Sequence, residues 1–548
     1  MITSKLLKYT QEKIKKFFVG FTDKSHGLGH IGRVVSYSRA VSERGWPDSG
    51  LVELIAWLHD IGRVIEHADN PAGLPHHVLS KRLTEEWFKK DKNFYTLSAK
   101  EKEEILYAVA NHGDDTAIDF QSAIILRDAD KLDLYGAAGL ERHKIFHAND
   151  IHELNCNLII SLERAARLKT KAAKEIFHQR KLARPMEDYL KKNGPGGTTG
   201  GKKVLCAISG GVDSAVAAAL LQKTGYEVTG AFMKCYSGAL PGNEAPCWIE
   251  DRREAMRVAA KLGIKLLTFD FEKEYRREVI DYMFKEYRAF RTPNPDVMCN
   301  KYVKIPLLLK AAEKLGFDYV ATGHYARLRR TKNNAELLQA TDKNKDQTYF
   351  LHQLKQKELQ QLIFPIGTLY KDEVRVFAKQ WGLPVADREE SMGICFVGEV
   401  PMKEFLQKRI KPRRGPTVLG SGKKVGEHDG LAFYTIGEKI SGVAGRPLFV
   451  VNKDIKNNRL IVGDEDDSSL FKKKIQLSDI NWLTGQPPKF PLKCEVRLRH
   501  RQPLQNATVK RSGAKFIVDF GEPQRAVTPG QFAVFYKDSE CLGGGAIV

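Results

Sequence analysis

Hydrophobic and polar positions divide the chain into three kinds of pattern. Up to about residue 190, apolar residues recur at helical spacing, as in LVELIAWLHDIGRVI and SAIILRDADKLDLYGAAGLER. From about residue 202, short apolar runs typical of strands alternate with helical segments, beginning with KKVLCAIS, SAVAAALLQKTG and YEVTGAFMK. From about residue 410, short strands with Gly and Pro turns dominate, such as RPLFVVNKD and QFAVFYKD. The pattern predicts a helical domain, a parallel sheet with crossover helices, and one or two small β domains.

One segment separates the first pattern from the second. Residues 191–203, KKNGPGGTTGGKK, are rich in Gly, contain one Pro and have no apolar periodicity. Such a composition predicts a flexible linker, which favours loose tethering of the two parts.

Composition narrows the class of protein. A chain of 548 residues predicts three or four domains. The net charge of +21 fits either lysine-rich solubility or a polyanionic partner. The sequence has no apolar run of the roughly 18–20 residues that cross a membrane, and its first residues lack the pattern of a signal peptide. We therefore expect a cytoplasmic protein with no membrane partner. None of the eight cysteines forms a CxxC pair, which excludes a zinc ribbon or a thioredoxin motif.

Histidines and aspartates cluster in the helical part, which holds eleven of the fifteen histidines. The candidates occur in SHGLGHIGRV, AWLHDIGRV and RDADKLD: His26, His30, His59, Asp60, Asp128, Asp130 and Asp133. Each group lies on a helical segment, so side chains from separate helices can converge in the core of a bundle. Imidazole and carboxylate together suit a divalent metal that activates water.

This pattern, H…HD…D, resembles the HD-domain metal-dependent phosphohydrolases over about residues 20–180. The resemblance implies the ligands His30, His59, Asp60 and Asp130, with Asp128 as the competing choice for the last position. His77 and His112 resemble the extra histidines that members use for phosphate or a second metal. The implied metal is Mn, Fe, Co, Ni or Mg. The substrate stays open between nucleotides and RNA phosphate ends, and an inactive scaffold is the alternative.

A glycine-rich stretch, LCAISGGVDSAVAAALL, follows the linker. It lacks the lysine of a GxxxxGK[ST] loop, yet it lies between a predicted strand and a predicted helix. Glycines allow close approach to a phosphate, and the helix N-terminus favours an anion. Asp213 would repel a bare anion, so it suggests a bridging Mg²⁺. The stretch resembles the PP-loop, SGGxDS, of ATP pyrophosphatases, which release pyrophosphate while AMP is transferred to an oxygen.

Two cysteines stand out by their context, Cys299 in TPNPDVMCN and Cys395 in SMGICFVG. With the loop, ATGHYAR, KDQTYFL and the C-terminal EPQRAVTPGQFAVFY, these segments resemble the bacterial tRNA-specific 2-thiouridylases from about residue 202 to the C-terminus. The resemblance implies ATP-dependent formation of 2-thiouridine at wobble position 34 of tRNA. It also implies Mg²⁺, tRNA and a persulfide sulfur donor, either a sulfur relay protein or a cysteine desulfurase.

The resemblance also implies residue roles. Cys395 would carry the persulfide, and Cys299 would release its sulfur, which leaves a Cys299–Cys395 disulfide; Asp213 is the third candidate catalytic residue. The implied ATP-binding residues are Ala207, Ile208, Ser209, Gly210, Gly211, Val212, Asp213, Ser214, Met233 and Gly323. The implied tRNA-binding residues are Asn294, Pro295, Asp296, His324, Lys345, Asp346, Gln347, Arg499, His500 and Gln531.

The sequence departs from the family in one loop and carries an extra domain. IGEKISGVAG, with Glu438, replaces a more basic loop and puts its tRNA contact in doubt. The alternatives are a PP-loop amidotransferase or synthetase, which needs no second thiol, and a non-catalytic tRNA-binding protein, which would not retain Asp213 and both cysteines. The expected domains are an all-α HD domain at 1–190, a linker at 191–203, an α/β PP-loop domain at 204–400, a small central domain at 401–475 and a C-terminal β-barrel at 476–548.

Overall fold

The structure is a computed structural model that describes the chain except for residues 1, 24, 43–47, 69–73, 114–118, 148–149, 197–200, 239–247, 332–333, 390–401, 441–446 and 514. The chain separates into two compact units, Met1–Thr198 and Thr199–Val548. Among the described residues, no helix combines the length and the apolar character needed to cross a bilayer.

The described residues of the first unit form helices and no strand, as the apolar spacing predicts. The helices are α1 Ser4–Phe17, α2 Leu28–Ser42, α3 Ser49–Leu58, α4 Arg63–Ala68, α5 His76–Lys90, α6 Ala99–Ala110, α7 Gln121–Leu132, α8 Gly136–Phe146, α9 Ile151–Arg164, α10 Lys171–Gln179 and α11 Arg184–Asn193. Short 3₁₀ turns lie at Lys92–Thr96 and Ala165–Arg167. The first residues of the predicted linker are therefore still helical.

Helix α3 is the centre of this unit. Its sequence SGLVELIAWL is apolar nearly all round, and every residue from Leu51 to Leu58 is buried, which is the behaviour of a core helix. Its N-terminus is capped by Asp48, whose carboxylate accepts from the backbone N–H of Leu51 at 3.0 Å. Helices α2 and α7 pack against α3 and against each other. This three-helix contact brings the His and Asp segments of the sequence together.

The second unit begins with a five-stranded parallel sheet, in the order β3-β2-β1-β4-β7. The strands are β1 Lys203–Ala207, β2 Glu227–Lys234, β3 Leu266–Asp270, β4 Tyr319–Ala321 and β7 Leu362–Ile363. The helices around it are α12 Val212–Lys223, α13 Trp248–Leu262, α14 Glu272–Tyr275, α15 Tyr282–Arg288, α16 Pro295–Cys299, α17 Ile305–Leu315, α18 Thr348–Leu351, α19 Gln356–Gln360 and α20 Lys371–Gln380. Two π-helical turns lie at Arg276–Asp281 and Asn300–Lys304.

A smaller sheet follows the short helix α21, Met402–Gln407. Its order is β10-β11-β12-β8-β9. The strands are β8 Gly415–Leu419, β9 Lys424–His428, β10 Lys439–Ile440, β11 Leu448–Asp454 and β12 Arg459–Gly463. Its core is small, with Leu431, Leu448, Val450, Leu460 and Val462 buried together.

The C-terminal strands close into an antiparallel barrel, because β13 pairs with both β16 and β18. The strands are β13 Phe471–Trp482, β14 Leu492–Arg497, β15 Gln505–Ser512, β16 Lys515–Arg525, β17 Phe532–Lys537 and β18 Glu540–Ile547. A hairpin that precedes α18 in the chain, β5 Ala326–Arg330 and β6 Ala335–Gln339, pairs with β18 through Cys541 opposite Leu337. The predicted fold classes and their order are confirmed.

Candidate functional sites

The first site is a cluster of histidine and aspartate side chains between α2, α3 and α7. His30 Nε2 lies 3.5 Å from Asp60 Oδ2 and 3.5 Å from Asp130 Oδ1. His59 Nε2 lies 3.3 Å from His30 Nε2 and 3.9 Å from Asp60 Oδ2. The ligand atoms of His30, His59 and Asp60 all lie within 4.8 Å of one another. The four residues predicted as ligands therefore converge in the structure.

A second group shares Asp60 with the first. His76 Nε2 and His112 Nε2 lie 3.5 Å and 3.6 Å from Asp60 Oδ1, and 3.2 Å from each other. His112 is one of the two extra histidines of the sequence analysis, and His76 was not singled out there. The ring of His77, the other one, lies beside this group, with its centroid 5.5 Å from that of His76 and 6.3 Å from that of His112. The sequence HDIG explains the approach of His76. A Cβ on Gly62 would lie 2.3 Å from the carbonyl oxygen of His76, so only glycine lets α5 come this close.

The imidazole rings are oriented for Nε2 ligation. Nδ1 of His59 and Nδ1 of His112 each lie 2.8 Å from a backbone carbonyl, of Ala56 and of Val109. His30 Nδ1 lies 2.8 Å from Asp133 Oδ2. A ring whose Nδ1–H donates in this way leaves the Nε2 lone pair for a metal. Asp133, the remaining aspartate of RDADKLD, thus fixes the orientation of the His30 ring.

Electrostatics at the cluster suit a cation at every group but His30. Burial lowers the pKa of His30, but hydrogen bonds to Asp133 and Asp60 outweigh it and raise that pKa to about 9. Burial lowers the pKa of His59 to about 4 and that of His76 to about 3, which keeps both rings neutral. Burial opposes ionisation of Asp60, but His59, His30 and Arg63 hold the pKa of its carboxyl well below the usual value. Asp60 Oδ1 is buried and accepts no hydrogen bond from the described residues. A buried carboxylate oxygen in this state fits a divalent metal.

The carboxylate of Asp128 is hydrogen-bonded to the start of α10. The sequence left open whether Asp128 or Asp130 lies at the cluster. The buried carboxylate of Asp128 accepts from the backbone N–H groups of Lys169 and Thr170 at 3.0 and 2.6 Å, and from the Thr170 hydroxyl at 2.7 Å. It therefore fixes the start of α10. Asp130 is the aspartate of α7 that reaches His30.

The second site is the glycine-rich loop between β1 and α12. Gly210 has φ +85°, and the Ser214 hydroxyl donates to the carbonyl of Gly211 at 3.0 Å and accepts from Ser209 N at 3.1 Å. The loop lies at the carboxyl end of β1 and leads into the N-terminus of α12, whose first N–H groups favour an anion. The backbone of Gly323 approaches closely, since a Cβ there would lie 2.7 Å from Ser214 N.

The remaining residues predicted to bind ATP lie around this loop. Ala207 ends β1, and Ile208 N donates to the carbonyl of Ala231 in β2 at 2.9 Å. Val212 is the first residue of α12 and is buried. Met233 is buried near the end of β2 and is paired with Phe269 of β3. The sheet thus brings the predicted residues to one edge.

The carboxylate of Asp213 accepts hydrogen bonds from two side chains that the sequence analysis did not predict. Tyr325 donates its hydroxyl to Asp213 Oδ1 at 2.8 Å, and Lys371 donates from Nζ to the same oxygen at 2.6 Å. Arg388 donates to the carbonyl of Gly210 at 2.7 Å and to the carboxylate of Asp251 at 2.6 Å. The sequence around Lys371 and Arg388 did not distinguish them from surface cations. Only their position in the structure shows that they contact the loop.

The third site surrounds Cys299. Asn294 caps α16, the helix that ends at Cys299, and its Oδ1 accepts from Val297 N at 3.2 Å. Asn294 Nδ2 also donates to Gln531 Oε1 at 3.2 Å, so the barrel contacts the TPNPDVMCN segment. Cys299 is buried. Pro295 and Asp296 form the first turn of α16. Cys395, the predicted persulfide carrier, lies outside the described residues.

The other residues predicted to bind tRNA lie in two places. Gln347 Oε1 accepts from Tyr325 N at 2.9 Å, beside the PP-loop, and Lys345 is half-buried two residues earlier. His324 is buried, its Nδ1 lies 2.7 Å from the Thr322 hydroxyl, and burial holds its pKa well below the usual value. His324 is therefore neutral at pH 7.

Arg499 and His500 follow β14 at a basic groove that Arg501 and Arg525 also line. Burial lowers the pKa of His500 to about 4, and its ring packs on Phe350 with centroids 4.6 Å apart.

Asp346 is buried and its carboxylate is an internal acceptor. It accepts from Arg497 at 2.9 Å, from the Thr348 hydroxyl at 3.0 Å and from Ala340 N at 3.2 Å. The resemblance implies a tRNA contact here. With the carboxylate enclosed in this way, such a contact would involve the backbone or the neighbouring residues.

Fold and sites together define the class of protein. The second unit is of the PP-loop class. Its glycine-rich loop lies at the carboxyl edge of a parallel sheet, and two β domains follow in the chain. The first unit is a helical domain with an HD-type cluster. Profiles of known families agree. Residues 27–135 match the HD domain, 202–399 the tRNA methyl transferase HUP domain, 403–464 the tRNA methyl transferase PRC-barrel domain, and 472–547 the aminomethyltransferase β-barrel domain.

Curated relatives identify the family. The tRNA-specific 2-thiouridylase MnmA of Streptococcus thermophilus (strain ATCC BAA-491 / LMD-9) is 45% identical over 354 residues, which are 63% of this chain and 95% of that protein. The MnmA of Acinetobacter baumannii (strain ACICU) is 44% identical over 365 residues, 63% of this chain and 97% of that protein. The chain belongs to the tRNA-specific 2-thiouridylase family and carries an HD domain in addition.

One solved structure is similar to part of this chain. It is a predicted HD superfamily hydrolase from an uncultured Thermotogales bacterium, 20% identical, with a TM-score of 0.25 over 33% of this chain and 86% of that one. The HD assignment rests on the match at residues 27–135 and on the cluster itself.

Proposed function

We propose that the second unit catalyses ATP-dependent 2-thiolation of the wobble uridine of tRNA, through an adenylated uridine and a cysteine persulfide. The observation that carries this proposal is the contact between the α16 segment, which ends at Cys299, and Gln531 of the barrel, in a unit that also contains the PP-loop. The identity to 2-thiouridylases over this whole unit supports it. The net charge of +21 fits a polyanionic partner.

The first chemical step is adenylation. The O2 oxygen of uridine attacks the α-phosphorus of ATP, the bond from that phosphorus to the bridging oxygen breaks, and pyrophosphate leaves with the electron pair. Gly210, Gly211 and the N-terminus of α12 provide backbone N–H groups for the phosphates. Asp213 is the residue that would hold a Mg²⁺ ion, which shields the phosphate charge when it is bound.

The second step replaces the activated oxygen by sulfur. The outer sulfur of a persulfide on Cys395 attacks C2, and AMP leaves with the electron pair of the C2–O bond. The Cys299 thiolate then attacks the inner sulfur, so the S–S bond breaks toward the thiouridine and a Cys299–Cys395 disulfide forms. A cellular dithiol must reduce this disulfide before the next cycle, and a persulfide donor must supply the sulfur.

The test is nucleoside mass spectrometry on unmodified tRNA incubated with the full chain, ATP, Mg²⁺ and a persulfide donor. We expect 2-thiouridine with the native protein and none with Cys395→Ser or Cys299→Ser. Cys206→Ser is the matched control, because burial raises the pKa of that thiol to about 12 and leaves it unreactive. Thiolation that survives Cys299→Ser would refute the disulfide step, and cleavage of ATP without thiolation would refute the acceptor.

We propose further that the first unit is a phosphohydrolase that holds two divalent cations. His30, His59, Asp60 and Asp130 would bind one, and Asp60, His76 and His112 the other. The observation that carries this is the unsatisfied Asp60 Oδ1 between the two histidine pairs. A divalent cation at such a site polarises a phosphoryl oxygen and lowers the pKa of water. The substrate class is a nucleotide or an RNA phosphate end.

Metal analysis and hydrolysis assays test this second proposal. Plasma mass spectrometry on the full chain should find two equivalents of one metal, a single equivalent in His76→Ala, and two in the neighbouring control His77→Ala. Release of phosphate from a panel of nucleotides and from RNA with 3′-phosphate ends should be lost in Asp130→Ala. A protein that binds no divalent metal would support the scaffold alternative.

A further inference from the structure

The PP-loop has no cation of its own. Residues 207–214, AISGGVDS, contain one carboxylate and no Lys or Arg. Transfer of AMP from ATP leaves a highly charged pyrophosphate, and a lysine usually meets such phosphates in other glycine-rich loops. Apart from a Mg²⁺ ion at Asp213, only backbone N–H groups would stabilise that charge unless the fold supplies a cationic side chain from elsewhere.

The fold places Lys371 at the loop. This lysine is the first residue of α20, 158 positions after Asp213, and its Nζ lies 2.6 Å from Asp213 Oδ1. Only 9% of its side chain is exposed. Helix α20 packs against α12, and the Lys371 backbone N–H donates to Asp342 Oδ2 at 3.0 Å. Its position is thus set by two helices and a buried carboxylate, not by a flexible surface conformation.

Tyr325 completes the arrangement. Its hydroxyl donates to the same Asp213 oxygen at 2.8 Å, and its ring centre lies 5.9 Å from Lys371 Nζ. The aromatic ring and the carboxylate together hold an ammonium group at the mouth of the loop.

The other cation in contact with the loop among the described residues is Arg388. Its guanidinium donates to the Gly210 carbonyl at 2.7 Å and to Asp251 Oδ1 at 2.6 Å, so it fixes the backbone of the loop. Lys371 differs because its partner is Asp213, the carboxylate that Mg²⁺ would share when ATP binds. The ammonium group is therefore the one whose surroundings change with the substrate.

We propose that Lys371 is a catalytic residue of the adenylation step, and that its ammonium group donates to non-bridging oxygens of the β- and γ-phosphates of ATP. This group stabilises the charge that collects on pyrophosphate as the bond to the α-phosphorus breaks and its electron pair leaves. This inference rests on the proposed ATP site and adds a cationic side chain to it.

The test measures ligand affinity with the full chain, by calorimetry in the presence of Mg²⁺. The probes are a non-hydrolysable ATP analogue with a methylene between the α- and β-phosphates, pyrophosphate, and AMP. Because a hydrogen bond to a charged group is lost, Lys371→Met should weaken the binding affinity for the analogue and for pyrophosphate by roughly ten- to a hundredfold. AMP, which lacks the β- and γ-phosphates, should keep its affinity within about twofold, and Lys371→Arg should retain part of the pyrophosphate affinity.

Two controls separate direct contact from other roles. Lys379→Met changes an exposed lysine of the same helix and should leave all three affinities unchanged. In an Asp213→Asn background, Lys371→Met should still weaken pyrophosphate if the contact is direct, and should have no further effect if Lys371 acts only through Asp213.

The outcomes are distinct. Unchanged pyrophosphate affinity in Lys371→Met, or an equal loss for AMP, overturns the inference while the ATP site stands. If the native protein binds none of the probes, the ATP site itself is wrong. Should Lys371→Met fail to fold by circular dichroism, Lys371→Gln, which removes the charge and keeps a polar side chain, is measured instead. Pyrophosphate affinity in Lys371→Gln equal to that of the native protein would overturn the proposal.

Discussion

Removal of the Asp346 carboxylate is expected to destabilise the contact between the barrel and the segment that leads into α18. Asp346 precedes α18 and Arg497 ends β14, so their 2.9 Å ion pair joins two parts of the second unit. Both side chains are buried, and Asp346 also accepts from Thr348 and Ala340. Asp346→Ala therefore leaves a buried guanidinium without its carboxylate.

The size of the effect follows from burial. Breaking a buried ion pair by removing one partner costs about 3–5 kcal/mol of unfolding free energy. A domain of roughly 150–250 residues changes its Tm by about 2–4 °C per kcal/mol. The expected fall in Tm is thus about 6–20 °C for the transition that includes the barrel, followed by calorimetry and by tryptophan fluorescence.

Two further variants make the prediction refutable. Asp466→Ala removes an exposed carboxylate and should change the unfolding free energy by no more than about 0.5 kcal/mol. The double variant Asp346→Ala with Arg497→Met should lose less unfolding free energy than the two single variants lose together, because no buried charge is then left without a partner. An unchanged Tm in Asp346→Ala, together with weaker binding of tRNA, would refute the internal role and support a direct contact.

Three other predictions concern the remaining features. Asp128→Ala should lower the Tm of the HD unit by weakening the start of α10 yet leave the metal content unchanged, whereas Asp130→Ala should reduce the metal content; plasma mass spectrometry and calorimetry on both variants distinguish the roles. Gly62→Ala should displace His76, since the new Cβ would meet its carbonyl oxygen, and the number of bound metals should fall by one; two retained metals would contradict this. Burial lowers the pKa of Lys453 from 10.5 to about 8. Between about pH 8 and 10.5 this amine is therefore protonated in the unfolded chain and neutral in the folded protein, so the free energy of unfolding should rise as the pH rises through that range. In Lys453→Met, Tm measured against pH should rise less over this range. A slope identical to that of the native protein would contradict the lowered pKa of Lys453.

Much of the fold follows from local pattern. Helical spacing in LVELIAWLHDIGRVI and strand–helix alternation after residue 202 are properties of consecutive residues, and hydrophobic burial turns them directly into a bundle and a parallel sheet. The PP-loop is equally local, because a strand, two glycines and a helix start lie within a few residues of one another. His30, His59 and Asp60 could be found in the same way, as short motifs on helical segments.

Other features depend on how helices and strands pack. His76 and His77 are adjacent, and no local signal says which of them the first turn of α5 directs at Asp60. Asp128 and Asp130 lie two positions apart on α7, about 200° around the helix axis, so the packing of α2 and α10 decides which one meets His30.

The sequence by itself determined the class of each domain, their order, and the position of the PP-loop. Only the tertiary structure decided which side chains complete each site: Asp133 behind His30, Gln531 against Asn294, and Lys371 beside Asp213. The physical reason is distance along the chain. Secondary structure depends on neighbours a few residues apart, whereas a site of this kind joins residues more than a hundred positions apart, which meet only after the apolar faces of separate elements are buried together.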